Sequence, residues 1–176
     1  MFKGAHTALV TPFRDGDFDE SSFRDLIDFQ FDHQIKGVVP VGTTGESPTV
    51  SHDEHRRIIE VTVEQTNKRG LVTAGTGSNS TREAIALTQA AEKAGADAAL
   101  LVAPYDNQPS QEGLFEHFKA IAEASSLPIV LYSIPGRCGI EIGVELTARL
   151  AQACPNILAI KEAGGSVERV NQLVDA

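Results

Sequence analysis

The stretch Gly37-Val38-Val39-Pro40-Val41-Gly42-Thr43-Thr44-Gly45-Glu46 shows the pattern that recurs along the whole chain. A short apolar run leads into a turn of glycine and threonine, and a helical pattern follows over 51–69. The apolar run does not alternate with polar residues, which is typical of a strand that is buried on both faces of a sheet. Further runs of the same character lie at 8–10, 71–74, 98–102, 129–132 and 157–160.

Helical patterns separate these runs. They cover 20–34, 80–95, 110–126 and 143–154, and another begins near Ser166. The starts at 51–54 and 80–83 each have the form of a capping box, and Gly70 and Gly95 are expected to end two of the helices. Six strand–helix units in a row predict an α/β fold with a parallel sheet and right-handed crossovers.

Two parallel architectures compete, an open doubly wound sheet and a closed (β/α)8 TIM barrel. An open sheet usually carries a GxGxxG turn after its first strand. Here that strand leads to Thr11-Pro12-Phe13, and Gly75-Thr76-Gly77 lacks the third glycine. The barrel is therefore favoured.

Chain length is the main tension in the barrel prediction. Units of about 30 residues require roughly 240 residues for eight units, whereas this chain has 176. We expect 1–176 to form a single barrel domain truncated at its C-terminus, covering about the first six βα units. Such a chain should be poorly stable or inactive alone. A cooperative thermal transition with full turnover would contradict this expectation.

Composition excludes several classes of protein. The 24 acidic and 15 basic side chains give a net charge of −9, which disfavours nucleic-acid partners. No apolar run approaches the roughly 20 residues of a membrane span, and the N-terminus lacks a signal-peptide pattern, so a cytoplasmic protein is expected. Cys138 and Cys154 do not form a CxxC pair or a disulfide framework.

Polar side chains follow the predicted strands, where the active sites of α/β barrels are built. They are Thr11, Thr43, Thr44, Thr76, Tyr105, Tyr132, Arg137 and Lys161. These residues do not have the spacing of metal ligands, and a nucleophile elbow is absent. The sequence therefore disfavours a reaction that depends on a metal ion.

Lys161 is the most informative of these residues because it directly follows an apolar run. Burial lowers the pKa of a lysine, and a neutral amine can attack a carbonyl to form a Schiff base. The alternative is that the strand ends one residue earlier, so that Lys161 reaches solvent beside Glu162.

The other strand-end residues also have two interpretations. Tyr132 is either a core aromatic residue or an acid/base group. The 42–46 turn is either a plain turn or a set of N–H groups that holds a carboxylate, and Arg137 is either a surface residue or a carboxylate ligand. On the first turns of the helix at 51–69, a solvated face is the favoured interpretation for His52, Glu54 and His55.

Seven collinear motifs carry a resemblance to a known family. They are TALVTPF at 7–13, GTTGES at 42–47, HDEH at 52–55, AGTG at 74–77, PSQEGL at 109–114, PGRCG at 135–139 and IKEA at 160–163. On these motifs the chain resembles the dihydrodipicolinate synthase family of pyruvate-dependent class I aldolases. The arginine of PGRCG points to the synthase branch, because relatives similar to sialic-acid lyases generally lack it.

The resemblance implies a lyase that condenses pyruvate with L-aspartate 4-semialdehyde to 4-hydroxy-tetrahydrodipicolinate, on the route to diaminopimelate and lysine. It implies that Lys161 captures pyruvate as an imine and that Tyr132 is the acid/base. Thr43 and Thr44 would hold the pyruvate carboxylate and join the proton relay, and Arg137 would bind the carboxylate of the aldehyde.

Two residues depart from the family pattern. The family usually has Pro-Tyr-Tyr-Asn after the fourth strand, whereas this chain has Asp106 at the second tyrosine. The resemblance implies that Asp106 either takes over proton exchange with solvent or leaves the relay impaired. Ser133 stands where asparagine is common.

The resemblance also implies regulation and assembly. Positions matching a site for feedback inhibition by L-lysine are Ser47, His52, His55, Asn79, Glu83 and Tyr105. Pro48 replaces the smaller residue expected beside Ser47. It implies a homotetramer of tight dimers. It implies neither nucleic acid nor a membrane as a partner.

Two other functions remain open at this stage. One is another pyruvate-dependent aldolase that makes or splits a 2-keto sugar acid, which Arg137 disfavours. The other is an inactive, truncated fragment or a regulatory relic that forms oligomers. Borohydride trapping of pyruvate on Lys161 separates the enzyme from the inactive fragment.

Overall fold

A computed structural model describes all residues from 1 to 176. The strands are β1 (His6–Ala8), β2 (Phe13–Arg14), β3 (Asp17–Phe18), β4 (Gly37–Val39), β5 (Leu71–Gly75), β6 (Ala98–Val102), β7 (Ile129–Ser133) and β8 (Ile157–Glu162). The helices are α1 (Glu20–Asp32), α2 (His52–Thr66), α3 (Thr81–Ala94), α4 (Gln111–Glu123), α5 (Pro135–Cys138), α6 (Val144–Ala153) and α7 (Val167–Asp175), with a 3-10 helix at Ser47–Thr49.

Six strands form one sheet in the order β1-β4-β5-β6-β7-β8. The sheet order follows the chain order without reversal, and the pairs β1/β4, β4/β5 and β7/β8 are parallel. A doubly wound sheet requires a point at which the strand order reverses, so that alternative is excluded. The predicted parallel α/β fold of six βα units is confirmed.

The chain divides into two compact units. The first comprises Met1–Gly75 and Ala90–Ala99, and the second comprises Thr76–Gln89 and Leu100–Ala176. In the first unit, α1 buries Phe23 and Ile27, and α2 buries Ile58 and Ile59. Between these helices, Arg24 of α1 pairs with the carboxylate of Glu64 on α2, and Arg57 of α2 pairs with that of Glu20 on α1. Because exposed ion pairs contribute little, the apolar side chains supply most of the stability of this unit.

The second unit has its own apolar core on α4, β7 and the segment before α6. Leu114, Phe118 and Ile121 of α4 are completely buried, as are Ile129 and Leu131 of β7. The amphipathic spacing of α4 explains this burial, because residues three and four apart share one helix face. Ser110 caps α4 by accepting a hydrogen bond from Gly113 N at 3.2 Å.

His117 of α4 is buried in the second unit with an unusual environment. Its Nδ1 is hydrogen-bonded to Thr81 Oγ1 at 2.8 Å, whereas its Nε2 has no hydrogen-bond partner. Burial lowers the pKa of His117 from the ordinary value of 6.5 to about 4. The folded protein therefore keeps this imidazole neutral at pH values where the unfolded chain protonates it.

His117 should consequently make stability fall as the solution is acidified. Its folded-state pKa is depressed, so its contribution is present above pH 6.5 and is lost as the pH falls toward 4. We expect it to account for about 2 kcal/mol of unfolding free energy between pH 7 and pH 5. Urea unfolding at the two pH values should show this loss in the parent and in His33→Gln, which alters an exposed histidine, but not in His117→Gln. An equal pH dependence in His117→Gln would contradict this assignment.

Several local predictions differ from the structure. The first strand lies at His6–Ala8 instead of 8–10, and Val10 is 51% exposed. Helix α2 ends at Thr66 with Asn67 in the left-handed region (φ 44°), so Gly70 is not its stop. A Cβ at Gly70 would lie 2.6 Å from Lys36 O, so close packing explains this glycine. Gly95 (φ 90°) follows α3 as predicted.

Strand β8 is also less buried than predicted. Only Ile157 of its six residues is buried, and Leu158 is 53% exposed. The expectation of burial on both faces is wrong here, because β8 is last in the sheet order and has a neighbouring strand on one side only. None of the helices combines the length and the apolar composition that a membrane-spanning helix requires.

Candidate functional site

The 42–46 turn of the first unit follows β4 directly. Thr11 Oγ1 donates a hydrogen bond to Gly45 O at 2.7 Å, and Gly75 N donates to Pro40 O at 3.0 Å. His55 Nε2 donates to Gly75 O at 2.9 Å. Thr43 and Thr44 are exposed on this turn. Buried side chains and backbone bonds therefore hold the turn while its two hydroxyl groups are open to solvent.

Val41 enters this turn with its backbone in the left-handed region. Its φ is 44° and its side chain is only 2% exposed. A β-branched residue rarely adopts such a φ, because the Cβ atom clashes with the backbone. A Cβ added at Gly45 would lie 3.0 Å from Val41 N, and one added at Gly75 would lie 2.4 Å from Val41 O. Two glycines therefore leave the space that this strained backbone occupies.

In the second unit, Lys161 and Tyr132 lie side by side. They are register partners on β8 and β7, and Lys161 Nζ lies 4.0 Å from the centroid of the Tyr132 ring. A cation over a tyrosine ring at this distance is electrostatically favourable. Tyr132 is buried, with 4% exposure, and Lys161 is exposed. The structure thus gives the lysine a fixed neighbour and an open approach from solvent.

The alternative interpretation of Lys161 is right in one respect and wrong in two. Lys161 does reach solvent, so the burial that the sequence suggested for its amine is not found. Strand β8 continues through Lys161 to Glu162, so it does not end one residue earlier. The Glu162 carboxylate accepts a hydrogen bond from Arg169 Nε at 2.7 Å and another from Gly164 N. It is thereby paired with Arg169 of α7 and not with Lys161.

Arg137 lies in the short helix α5, just after β7. Its side chain is exposed, while the adjacent Cys138 is buried, and burial raises the pKa of that thiol. Ser133, at the end of β7, is completely buried; its Oγ accepts from Ile142 N at 3.4 Å and its carbonyl accepts from Ala163 N at 2.9 Å. This explains why a small hydroxyl residue fits at 133.

Thr76 does not belong to the candidate site. It is completely buried, and its Oγ1 lies 2.9 Å from Thr88 Oγ1 of α3 in the same unit. Thr76 directly follows β5, as the sequence predicts, but its hydroxyl turns to α3, the helix that follows.

The residues of the predicted lysine site are found in both units. In the first unit, Ser47 lies in the 3-10 helix, His52 begins α2 and is exposed, and His55 is buried. A solvated face is therefore wrong for His55, whose ring is held by Gly75 O. Glu54 forms the predicted capping box with Ser51, whose N–H and hydroxyl donors lower the pKa of that carboxyl.

In the second unit, the segments that carry the residues of this predicted site are hydrogen-bonded to their neighbours. Asn79 O accepts from Asn107 Nδ2 at 3.0 Å, and the Glu83 carboxylate accepts from the Ser78 hydroxyl. Tyr105 is half-buried, and its carbonyl accepts from Asn107 N at 2.9 Å. These bonds fix the segments that carry Asn79, Glu83 and Tyr105.

Asp106 has a backbone conformation that tyrosine tolerates poorly. Its φ is 71° and its side chain is exposed. Aspartate and asparagine adopt the left-handed region more readily than other non-glycine residues. We expect Asp106→Tyr to lower the unfolding free energy by about 1 kcal/mol, and Asp106→Asn to leave it nearly unchanged. Urea unfolding of both variants tests this, and equal stability of the two would contradict it.

Sequence reasoning missed Arg169, which is buried although it is charged. Its side chain is 9% exposed, and it contacts Glu162 of β8 and Glu141 at 2.7 and 3.0 Å. The spacing of the sequence could have indicated this burial. Arg169 lies four residues before the apolar Leu173 and so shares a helix face with it, and these two are the least exposed positions of α7. The structure contains no group of three or more His, Cys, Asp or Glu residues placed to hold a metal ion.

The chain-order parallel sheet, with a lysine at the end of its last strand, places the protein in the class of (β/α)8 barrels, of which it holds about the first six units. Residues 1–176 match the Dihydrodipicolinate synthetase family along their entire length, and the chain belongs to this family. It is 53% identical over 175 residues to 4-hydroxy-tetrahydrodipicolinate synthase of Pelagibacter ubique (strain HTCC1062), an alignment that covers 99% of this chain and 59% of the relative.

Solved structures give the same result. The 4-hydroxy-tetrahydrodipicolinate synthase of Methylacidiphilum fumariolicum SolV superposes with a TM-score of 0.99 at 55% identity, over 100% of this chain and 59% of that one. The chloride-inhibited dihydrodipicolinate synthase of Acinetobacter baumannii, complexed with pyruvate, gives 0.97 at 48% identity, over 99% and 60%. The Cyanidioschyzon merolae enzyme with lysine bound gives 0.95 at 40% identity, over 98% and 59%. The chain thus spans about three-fifths of the length of these relatives.

Proposed function

We propose that this chain carries the pyruvate-capturing residues of a lyase that condenses pyruvate with L-aspartate 4-semialdehyde. The product is 4-hydroxy-tetrahydrodipicolinate, an intermediate on the route to diaminopimelate and lysine. Family membership, the names of the relatives and the pyruvate complex of the Acinetobacter enzyme support this proposal. The observation that carries it is the pair of Lys161 and Tyr132, with Nζ 4.0 Å from the tyrosine ring centroid.

In the proposed reaction, the neutral amine of Lys161 attacks the C2 carbonyl carbon of pyruvate. The resulting carbinolamine loses water and becomes an imine. The imine makes the pyruvate methyl group acidic, and loss of one of its protons gives an enamine that attacks the aldehyde carbon of the second substrate. The amino group of that substrate then attacks the imine carbon, which closes the ring and releases Lys161 as the free amine. Tyr132 is proposed to donate and accept the protons of these steps. Neither a metal nor an organic cofactor is needed in this scheme.

Three further residues would position the substrates. Thr43 and Thr44 are proposed to hold the pyruvate carboxylate and to join the proton relay, since their hydroxyls are exposed on a rigidly held turn. Arg137 is proposed to bind the carboxylate of the aldehyde, because an exposed guanidinium offers a fork of donors that matches it. Asp106 is proposed to exchange protons with solvent. A gain in turnover in Asp106→Tyr would instead indicate an impaired relay.

We also propose that L-lysine inhibits the whole enzyme through Ser47, His52, His55, Asn79, Glu83 and Tyr105. The lysine-bound Cyanidioschyzon relative supports the ligand. The assembly proposed for the whole enzyme is a homotetramer. Light scattering after gel filtration, with and without L-lysine, tests the assembly, and isothermal titration with L-lysine tests the site.

Borohydride trapping tests the central proposal. Hydride reduces the imine to a stable secondary amine, so one chain should gain the mass of pyruvate less one oxygen atom. Peptide mass spectrometry should find the gain on the peptide that contains Lys161. Acetate and borohydride serve as the control, because acetate has no ketone. A folded parent chain that forms no adduct on Lys161 would overturn the proposed function.

A second candidate is another pyruvate-dependent aldolase that acts on a 2-keto sugar acid. Lys161 and Tyr132 serve that chemistry equally well, whereas the exposed Arg137 favours an aldehyde that carries a carboxylate. The two candidate functions can be separated with a panel of aldehydes with and without a carboxylate. The panel is offered, together with pyruvate, to protein that has not been treated with borohydride. Consumption of sugar aldehydes alone would favour this second candidate.

A further inference from the structure

Strand β8 contains a register shift just before its reactive end. Ile129 of β7 pairs with Ile157, but the next residue, Val130, pairs with Ala159. Leu158 is therefore an extra residue on β8, which is the arrangement of a β-bulge. From that point the shifted register continues to the pair of Tyr132 and Lys161.

The bulge determines which face of the sheet carries Lys161. In an unshifted register, Lys161 would lie opposite Ser133 and not opposite Tyr132. Side chains alternate between faces along a strand, so a shift by one residue moves each of them to the other face. If Leu158 instead paired with Val130 and the register were not shifted, the Lys161 amine would therefore be on the opposite face from the Tyr132 ring.

The end of β8 is held by a buried ion pair. Side chains of Glu162 and Arg169 are 7% and 9% exposed, and Arg169 Nε donates to Glu162 Oε2 at 2.7 Å. The remaining Glu162 oxygen accepts from Gly164 N. The other nitrogens of the guanidinium contact Glu141 Oε1 at 3.0 Å and the carbonyl of Ile142. Each nitrogen of this fork thus has an acceptor.

The same group of contacts includes the end of β7. Ala163 N donates to Ser133 O at 2.9 Å, and Ile142 N donates to Ser133 Oγ at 3.4 Å. Arg169 therefore connects β8, α7 and the 141–142 segment, and that segment is bonded in turn to the residue that follows Tyr132. Breaking a buried ion pair on one side leaves an uncompensated charge, so this connection is costly to lose.

We propose that Arg169 is a positioning residue for the imine chemistry: by binding Glu162, it holds β8 in the bulged register that sets Lys161 beside Tyr132. This role rests on the proposed function, because it concerns the lysine that would capture pyruvate. Arg169 does not touch the substrate in this scheme. It acts through Glu162, the neighbour of Lys161.

The test compares Arg169→Gln, Arg169→Lys and Glu162→Gln with the parent. As a control, Arg149→Gln removes an exposed ion pair with Glu112 in the same unit. The first measurement is the rate of borohydride-trapped pyruvate on Lys161 as a function of pyruvate concentration. The second is hydrogen exchange of the Ala163 amide, which reports on the β7–β8 register without pyruvate.

We expect Arg169→Gln to lower the maximal trapping rate about tenfold, because small misplacements of a reacting group are costly. The half-saturating pyruvate concentration should change less, since the 42–46 turn that carries Thr43 and Thr44 is unaltered. Exchange at Ala163 should accelerate. Arg169→Lys should recover part of the rate, because it keeps the charge but loses the fork, and Arg149→Gln should match the parent.

The remaining outcomes contradict either the positioning role of Arg169 or the proposed function. A folded Arg169→Gln chain with parental trapping and parental exchange at Ala163 overturns the positioning role. Where Arg169→Gln does not fold, Glu162→Gln decides in its place, because it keeps the size of the side chain. Where the parent itself forms no adduct, the proposed function fails, and exchange at Ala163 alone decides whether Arg169 holds the register.

Discussion

Lys161→Arg is expected to abolish the trapped pyruvate adduct, lowering its yield by more than about a thousandfold. An arginine guanidinium stays protonated at every accessible pH and has no free electron pair with which to attack a carbonyl. The substitution keeps the positive charge and the long side chain over the Tyr132 ring, so stability should change by no more than about 1 kcal/mol. Loss of the adduct would then report on chemistry and not on folding.

The matched control for this result is Lys119→Arg. Lys119 is a partly exposed lysine of α4, paired with Glu123 at 3.7 Å, in the same unit of the protein. Its substitution should leave the adduct on Lys161 at the parental level. Adduct formation in Lys161→Arg at the parental rate, on any other lysine, would show that the trapping is non-specific.

The sequence predicted the fold closely because buried parallel strands have a simple signature. The run at 98–102 matches β6 residue for residue, and the helix starts are within about one residue because capping groups such as Ser51 and Ser110 are local signals. Prediction failed for the first strand, where Val10 is apolar but exposed. An apolar run indicates that a strand is present, but hydrogen bonding to the neighbouring strand determines at which residue that strand begins.

The candidate site was predictable in part for a related reason. Residues such as Lys161 and Thr43 were found because they directly follow apolar runs, and parallel strands end at a common edge. The bulge at Leu158 and the pairing of Glu162 with Arg169 were not, because both depend on long-range packing. The left-handed backbone of Val41 could not be anticipated either, since valine disfavours it.

That strained backbone is the basis of the last prediction, on Gly75→Ala. The added methyl would lie 2.4 Å from Val41 O and 2.8 Å from Gly42 N. Both are backbone atoms, so no side-chain rotation can relieve the clash, and the 41–44 segment itself must move. We expect a loss of about 3 kcal/mol, as for the more severe cases of overpacking, and a fall in Tm of about 6–12 °C for a chain of this size.

The same substitution should weaken pyruvate capture. The displaced segment carries Thr43 and Thr44, which are proposed to hold the pyruvate carboxylate, so under that proposal the half-saturating pyruvate concentration for trapping should rise. Lys161 should keep its neighbour Tyr132. Gly136→Ala is the control for stability, since a Cβ there meets no atom within 4 Å.

Adding Val41→Gly to Gly75→Ala provides the decisive comparison. Glycine adopts a positive φ without strain, so the backbone at 41 could shift away from the new methyl at lower cost. We expect the double variant to be more stable than the sum of the two single changes by about 1 kcal/mol, the size of coupling seen between contacting residues. Additive effects in urea unfolding would instead show that Val41 and Gly75 do not constrain each other, and the threonine turn would then owe its geometry to the Thr11 and His55 hydrogen bonds alone.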